Sequence, residues 1–194
     1  MADGILKVGT ITTSSGSGTI TLGQSGETVD MTNGSITLNS DMKNTPAFQA
    51  YRTATQSLNN STFTKVQNNV VLFDTDSAYD NSTNYRFTIP SGKAGKYVFG
   101  VQCNIHDLPD QMYAYALIYK NGSKLKENIV SASRTIASWG RHEYYEAQNA
   151  TAILDLSAGD VVKHVCNQDS GSSRNLGDTD QGAITFFGGF RITT

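Results

Sequence analysis

Phe87-Thr88-Ile89-Pro90-Ser91-Gly92-Lys93-Ala94-Gly95-Lys96-Tyr97-Val98-Phe99 is a strand that stops, turns on glycines and restarts as a longer strand. Phe87 and Ile89 alternate with polar residues and so point to one face of a pleated strand, until Pro90 removes a ladder donor and ends the pairing. Gly92 and Gly95 supply turn conformations that a β-carbon disfavours. Beyond them Tyr97, Phe99, Val101, Cys103 and Ile105 recur at period two, the pattern of a strand with one face in a core.

Working outward, no segment keeps a helical period with caps, and short strands alternate with turn signals along the rest of the chain. Phe48-Gln49-Ala50-Tyr51-Arg52 alternates, Val70-Val71-Leu72-Phe73 is an apolar run, and Asp74 to Asn84 is turn-rich. Asn121-Gly122 is a tight-hairpin signal, Ser157-Ala158-Gly159-Asp160 is a second turn, and 169–181 reads as a polar loop. The class is all-β. Met112 to Tyr119 carries Tyr113, Tyr115, Leu117 and Tyr119 on one face and Ala114, Ala116 and Ile118 on the other. With both faces apolar, the outer one is expected to be covered by another subunit, which makes those four residues subunit-interface candidates.

All 18 aromatic residues (1 Trp, 9 Tyr, 8 Phe) lie from Phe48 onward. An arm of residues 1–43 therefore precedes a head of residues 44–194, and the arm lacks the large side chains needed to offset its chain entropy alone. Gly9-Thr10-Ile11-Thr12, Gly18-Thr19-Ile20-Thr21 and Gly34-Ser35-Ile36-Thr37 repeat a glycine turn and a short β-branched run, consistent with either a β-stalk or a flexible linker.

A net charge of −2 with 16% charged residues gives no electrostatic footprint for nucleic acid or an anionic membrane. No apolar run approaches the roughly 18 residues of a membrane span, and the N-terminal residues lack the pattern of a secretory signal, so the expectation is synthesis in a cytosol without membrane insertion. Two cysteines without a CxxC, Cys103 and Cys166, are expected to be buried free thiols. His164 is expected to alternate outward on its strand, and His106 and His142 to lie in loops.

Nothing in the sequence assembles a catalytic set: Gly23-Gln24-Ser25-Gly26 lacks the spacing of a nucleophile elbow, and the expectation is a non-enzyme without catalytic residues or cofactor. Trp139-Gly140-Arg141-His142-Glu143-Tyr144-Tyr145 is the most binding-like segment. Its Trp139, Arg141, His142, Tyr144 and Tyr145 are ligand or receptor candidates, with packing at a trimer interface or barrel end as the alternative.

These motifs together resemble the C1q globular-head family. Phe87-Thr88-Ile89-Pro90 followed by Gly95-Lys96-Tyr97-Val98-Phe99 resembles that family's Phe-Thr-x-Pro and Gly-x-Tyr-x-Phe signature. Asn69 to Asp74 with Tyr79-Asp80, Lys120-Asn121-Gly122, Leu156-Ser157-Ala158-Gly159-Asp160-Val161-Val162 and Phe187-Gly188-Gly189-Phe190 follow in the family's order. The last departs slightly at its paired glycines. The resemblance covers about 46–192 and implies a ten-stranded jelly-roll sandwich, related to the tumour necrosis factor fold, that assembles as a homotrimer. Related trimers hold calcium near their apex, which makes Asp178 and Asp180 weak metal candidates. No collagen Gly-X-Y repeat precedes the head. The Gly-Thr-Ile-Thr arm instead resembles the start of a bacteriophage structural protein, which implies a virion location, docking to other virion proteins through the arm, and a head that meets a host-surface glycan or protein. The alternative is a soluble cellular C1q-like lectin or adhesin.

Overall fold

The computed structural model describes residues 11, 25, 26, 28, 43–109, 112–125, 131–134, 145–177 and 185–192, with the backbone alone at 131–134 and 145–146. The chain divides into two compact units, Met1–Thr37 and Leu38–Thr194. The described part of the second unit is all strand, turn and loop, with no helix among the described residues.

Among the described residues fourteen strand segments follow one another: β1 (Ala47–Tyr51), β2 (Gln56–Leu58), β3 (Thr64–Lys65), β4 (Val70–Asp74), β5 (Tyr79–Asp80), β6 (Arg86–Thr88), β7 (Gly95–His106), β8 (Tyr113–Lys120), β9 (Ser123–Lys124), β10 (Ser131–Arg134), β11 (Tyr145–Leu156), β12 (Val161–Gln168), β13 (Arg174–Leu176) and β14 (Phe186–Arg191). They divide the chain more finely than the ten strands the resemblance implies, with β3, β5 and β9 being two-residue pairings and β2, β6 and β13 three-residue ones. Two seven-stranded sheets result. The first runs β2-β13-β7-β14-β1-β4 with β11 on the other edge of β7, and the second runs β10-β8-β12-β6-β5 with β3 on β12 and β9 on β8.

The stretch from Phe87 to Phe99 links the sheets. β6 belongs to the second sheet and β7 to the first, where all twelve residues of β7 pair with β11. Gly92 and Gly95 take φ of 73° and 139°, values open to glycine and strained for other residues. The turn is closed by Lys93 N–H donating to the Pro90 carbonyl (3.1 Å) and by the Tyr97 hydroxyl donating to the Lys93 carbonyl (2.6 Å). Burial beneath the turn pushes the Tyr97 phenol up to about 12.

The inward residues of β7, Tyr97, Phe99, Val101, Cys103 and Ile105, are all buried as their period requires. Phe48 from β1 stacks on Phe87 from β6 across the sandwich, with ring centroids 4.4 Å apart and planes 12° apart, and meets Phe187 from β14 edge-on at 4.9 Å. The paired glycines of β14 answer to this core. A β-carbon on Gly189 would lie 2.5 Å from the Phe99 ring and 2.6 Å from the Val98 carbonyl oxygen, so only glycine fits there.

The Asn121-Gly122 turn joins β8 to β9 with positive φ at both residues (50° and 82°), the geometry of a type I′ hairpin. Asn121 also latches a neighbouring turn: its Nδ2 donates to Asp160 Oδ1 (2.7 Å), and Val161 N–H donates to its Oδ1 (2.8 Å). Lys120 Nζ adds an ion pair to Asp160 at 2.9 Å. These donors, with Ser157 N–H, hold the Asp160 carboxyl at about 2.

Three sequence expectations change. The loop at 169–181 contains β13, whose Leu176 is fully buried. His106 ends strand β7 and is not in a loop. His164 points into the core and is fully buried, because β12 places Val162, His164 and Cys166 inward and Lys163, Val165 and Asn167 outward.

Candidate functional site

The described side chains that could do chemistry fall into a buried relay and two outer sheet faces. In the relay, His164 Nε2 lies 3.0 Å from Cys103 Sγ, and its Nδ1 lies 3.1 Å from Asn68 Nδ2. All three residues are fully buried, and the Tyr79 hydroxyl donates to the Asn68 carbonyl (3.1 Å). With Asn68 donating to Nδ1, the ring proton sits on Nε2 and Cys103 sulfur accepts it. A cysteine, a histidine and an asparagine in a chain are the parts of a nucleophilic site, but their electrostatics run the opposite way. Burial pushes the Cys103 thiol well up, with the nearby Cys166 thiol adding to it, and burial pushes His164 down to about 3. The pair is therefore neutral, a thiol beside an imidazole, where nucleophilic attack would need thiolate beside imidazolium. Both cysteines are free and buried, as expected from the sequence. Beside them, Gln148 pairs with Cys103 across β11 and β7, fully buried with neither amide atom hydrogen-bonded.

The prominent carboxylates serve their own backbone. Asp80 accepts from the N–H groups of Ser82, Thr83 and Asn84 and from the Asn84 amide, which holds its carboxyl well below the usual range. Among the described residues no group of three His, Cys, Asp or Glu is placed to hold a metal ion. Asp178 and Asp180 lie outside the described residues, as do Trp139, Arg141, His142 and Tyr144, while Tyr145 begins β11 with only its backbone described.

The outer face of the first sheet is uncharged across its middle. Ile153 of β11 pairs with Val98 of β7, which pairs with Phe190 of β14, which pairs with Ala47 of β1. Phe73 extends this face at the β4 edge opposite Gln49, beside Leu72 at a register shift. Ile153 is 68% exposed, Leu72 64%, Phe73 46% and Phe190 42%, an unusual display of aliphatic and aromatic surface on neighbouring strands. Gly100 and Gly188 pair at the centre of the face and leave it flat.

The second sheet presents a different outer face. Of the four residues expected to meet another subunit, Tyr113 is 42% exposed, Tyr115 and Tyr119 are half-buried, and Leu117 is fully buried within the single chain. Phe63 packs against this strand at Tyr119, with ring centroids 6.4 Å apart. Lys124 Nζ sits 5.6 Å from the centre of the Phe63 ring, and Lys65 Nζ sits 5.1 Å from the centre of the Tyr85 ring. Ala114, Ala116 and Ile118, on the other side of β8, belong to the core between the sheets.

The sequence did not single out Phe63 or Ile153, gave Phe190 only as part of a motif, and placed His164 on the wrong face of its strand. The period-two pattern from Gly95 onward did contain one signal, since after Lys96 its outward residues Val98, Gly100, Gln102 and Asn104 have no charge. Phe63 offered none, because it lies in the connection between β2 and β3.

No protein-family model matches the chain, and no curated protein matches its sequence. Solved structures do match. Murine APRIL is 14% identical with a TM-score of 0.51 over 75% of this chain and 98% of that one. The globular domain of zebrafish complement 1qA is 18% identical with a TM-score of 0.48 over 76% and 97%, and Eiger TNF from S. frugiperda is 15% identical with a TM-score of 0.49 over 75% and 90%. At these identities the likeness is one of fold alone: the head is a C1q/TNF-like jelly roll.

Proposed function

We propose that the chain is a non-enzymatic, homotrimeric structural protein of a bacteriophage virion, a tail or head fibre or a capsid decoration, with its jelly-roll head outward and residues 1–43 docked to the particle. The observation that carries the self-association is the outer face of the first sheet, uncharged across its middle, where Ile153, Val98, Phe190, Ala47 and Phe73 lie on neighbouring strands. Such a face on an isolated head exposes apolar area to water. Closing it against two further copies around a three-fold axis removes that area without leaving an open end for further addition. A non-enzymatic role is supported by the neutral, sealed Cys103–His164 pair and by carboxylates occupied with their own turns. The arm reading is supported by the absence of aromatic residues before Phe48.

Two experiments test the two halves of this reading. Light scattering on the full chain measures the trimer, and Phe190→Lys combined with Ile153→Asp is expected to convert it to monomers while leaving the strand signature in circular dichroism unchanged. Protein lacking residues 1–43 is expected to remain trimeric and to fail to join particles. Incorporation equal to that of the full chain would refute the docking role of the arm.

A further inference from the structure

We infer that the solvent face of the second sheet, centred on Phe63, Tyr119, Lys124 and Lys163, binds an acidic polysaccharide. The inference rests on the attachment reading above and names the surface and ligand class that would serve it.

The register places these groups together. Tyr119 of β8 pairs with Lys124 of β9 on one side and with Lys163 of β12 on the other, so a lysine, a tyrosine and a lysine form a row across three strands on one face. Phe63 lies beside the row, 52% exposed, with Lys124 over its ring and the Tyr119 ring tilted against it at 44°. Two residues along the same face, Leu117 and Val165 pair with each other and are buried, so the row borders a packed apolar pair.

Two features of this face point to an acidic sugar. The first is charge: β3, β8, β9 and β12 contain no Asp or Glu. Lys65, Lys124 and Lys163 make no ion pair among the described residues, whereas Lys120 at the neighbouring turn is held by Asp160. Cations on one face with no ion pair among the described residues, in a chain with net charge −2, mark a place that attracts anions. The second is the type of apolar surface. On this face it is aromatic, from Phe63, Tyr113 and Tyr119, while the exposed aliphatic residues Ile153 and Leu72 lie on the other sheet. A flat aromatic ring accepts the C–H face of a pyranose ring, and an ammonium beside it accepts the carboxylate or sulfate at the sugar's edge. An acidic protein surface would satisfy the lysines but would leave the half-exposed rings without a matching flat partner.

The test uses the full chain in an equilibrium binding assay against polygalacturonate, a heparin-type sulfated polysaccharide, neutral dextran and polyglutamate. The two anionic polysaccharides separate a carboxylate from a sulfate preference. Binding to at least one of them is expected to be roughly tenfold tighter than to dextran or polyglutamate, and to weaken roughly tenfold in Phe63→Ala and in Lys124→Ala combined with Lys163→Ala. Dextran binding as tight would remove the charge from the argument, and polyglutamate binding as tight would make the face a site for acidic protein. Either result, an unchanged Phe63→Ala, or no binding to either acidic polysaccharide overturns the inference. A second measurement needs no variant: acetylation of the wild-type chain, read by mass spectrometry, should be blocked at Lys124 and Lys163 by the bound polysaccharide and unaffected at the exposed Lys43. Acetylation unchanged at all three contradicts the inference. Trimer mass and particle incorporation are read separately, so a failure here leaves the attachment reading to its own tests.

Discussion

His164 carries most of the pH behaviour expected of the head at mild acidity. Its imidazole is neutral in the core at a pKa of about 3, against 6.5 for an ordinary histidine, because burial penalises the cation. Below about pH 6.5 the unfolded chain therefore takes up a proton that the folded chain refuses. Stability should fall by about 1.4 kcal/mol per pH unit between roughly pH 6 and pH 4. Below that, Asp160 contributes to the loss, since its folded value of about 2 lies under the unfolded 3.8. Urea denaturation midpoints from pH 7 to pH 4 check this, with His164→Gln expected to flatten the slope whatever it does to the absolute stability. Gly189 gives the sharpest steric expectation. An alanine β-carbon would collide with both the Phe99 ring and the Val98 carbonyl, so Gly189→Ala should cost about 3 kcal/mol in the same assay.

At the scale of elements, two turns are fastened together through Asn121 and Asp160. Asn121→Ala removes the hydrogen bonds to Asp160 and Val161 and places an alanine at a φ of 50°, so about 2 kcal/mol of stability should be lost. Equilibrium unfolding of the variant checks the figure, and Asn121→Gly should recover the conformational part alone. These turns were legible in the sequence because their chemistry is local: Asn-Gly and Ser-Ala-Gly-Asp dictate backbone conformation within four residues. The core face of β7 was legible for a similar reason, since five inward residues in alternation admit one orientation. The orientation of His164 was not, because alternation within Val162 to Cys166 fixes parity without saying which set faces inward. That choice is made by distant partners, Cys103 and Asn68, whose positions only the assembled sandwich supplies. Leu117 shows the same limit: its strand reads as apolar on both faces, while in the folded chain Leu117 is fully buried and Phe63, outside the regular pattern, packs near Tyr119 of the same strand.

For the whole molecule, the two outer faces differ in kind. The first sheet offers exposed aliphatic and aromatic side chains around glycines with no charge at the centre, and the second offers aromatic rings interleaved with lysines. The account assigns self-association to the first face and ligand contact to the second, which leaves the second open to solvent in the trimer. The mass of the full chain in solution at micromolar concentration, measured by size-exclusion chromatography with multi-angle light scattering, tests the self-association directly. The account predicts a single species of about 63 kDa, three times the 20.9 kDa of one chain. A single species of about 20.9 kDa would contradict it.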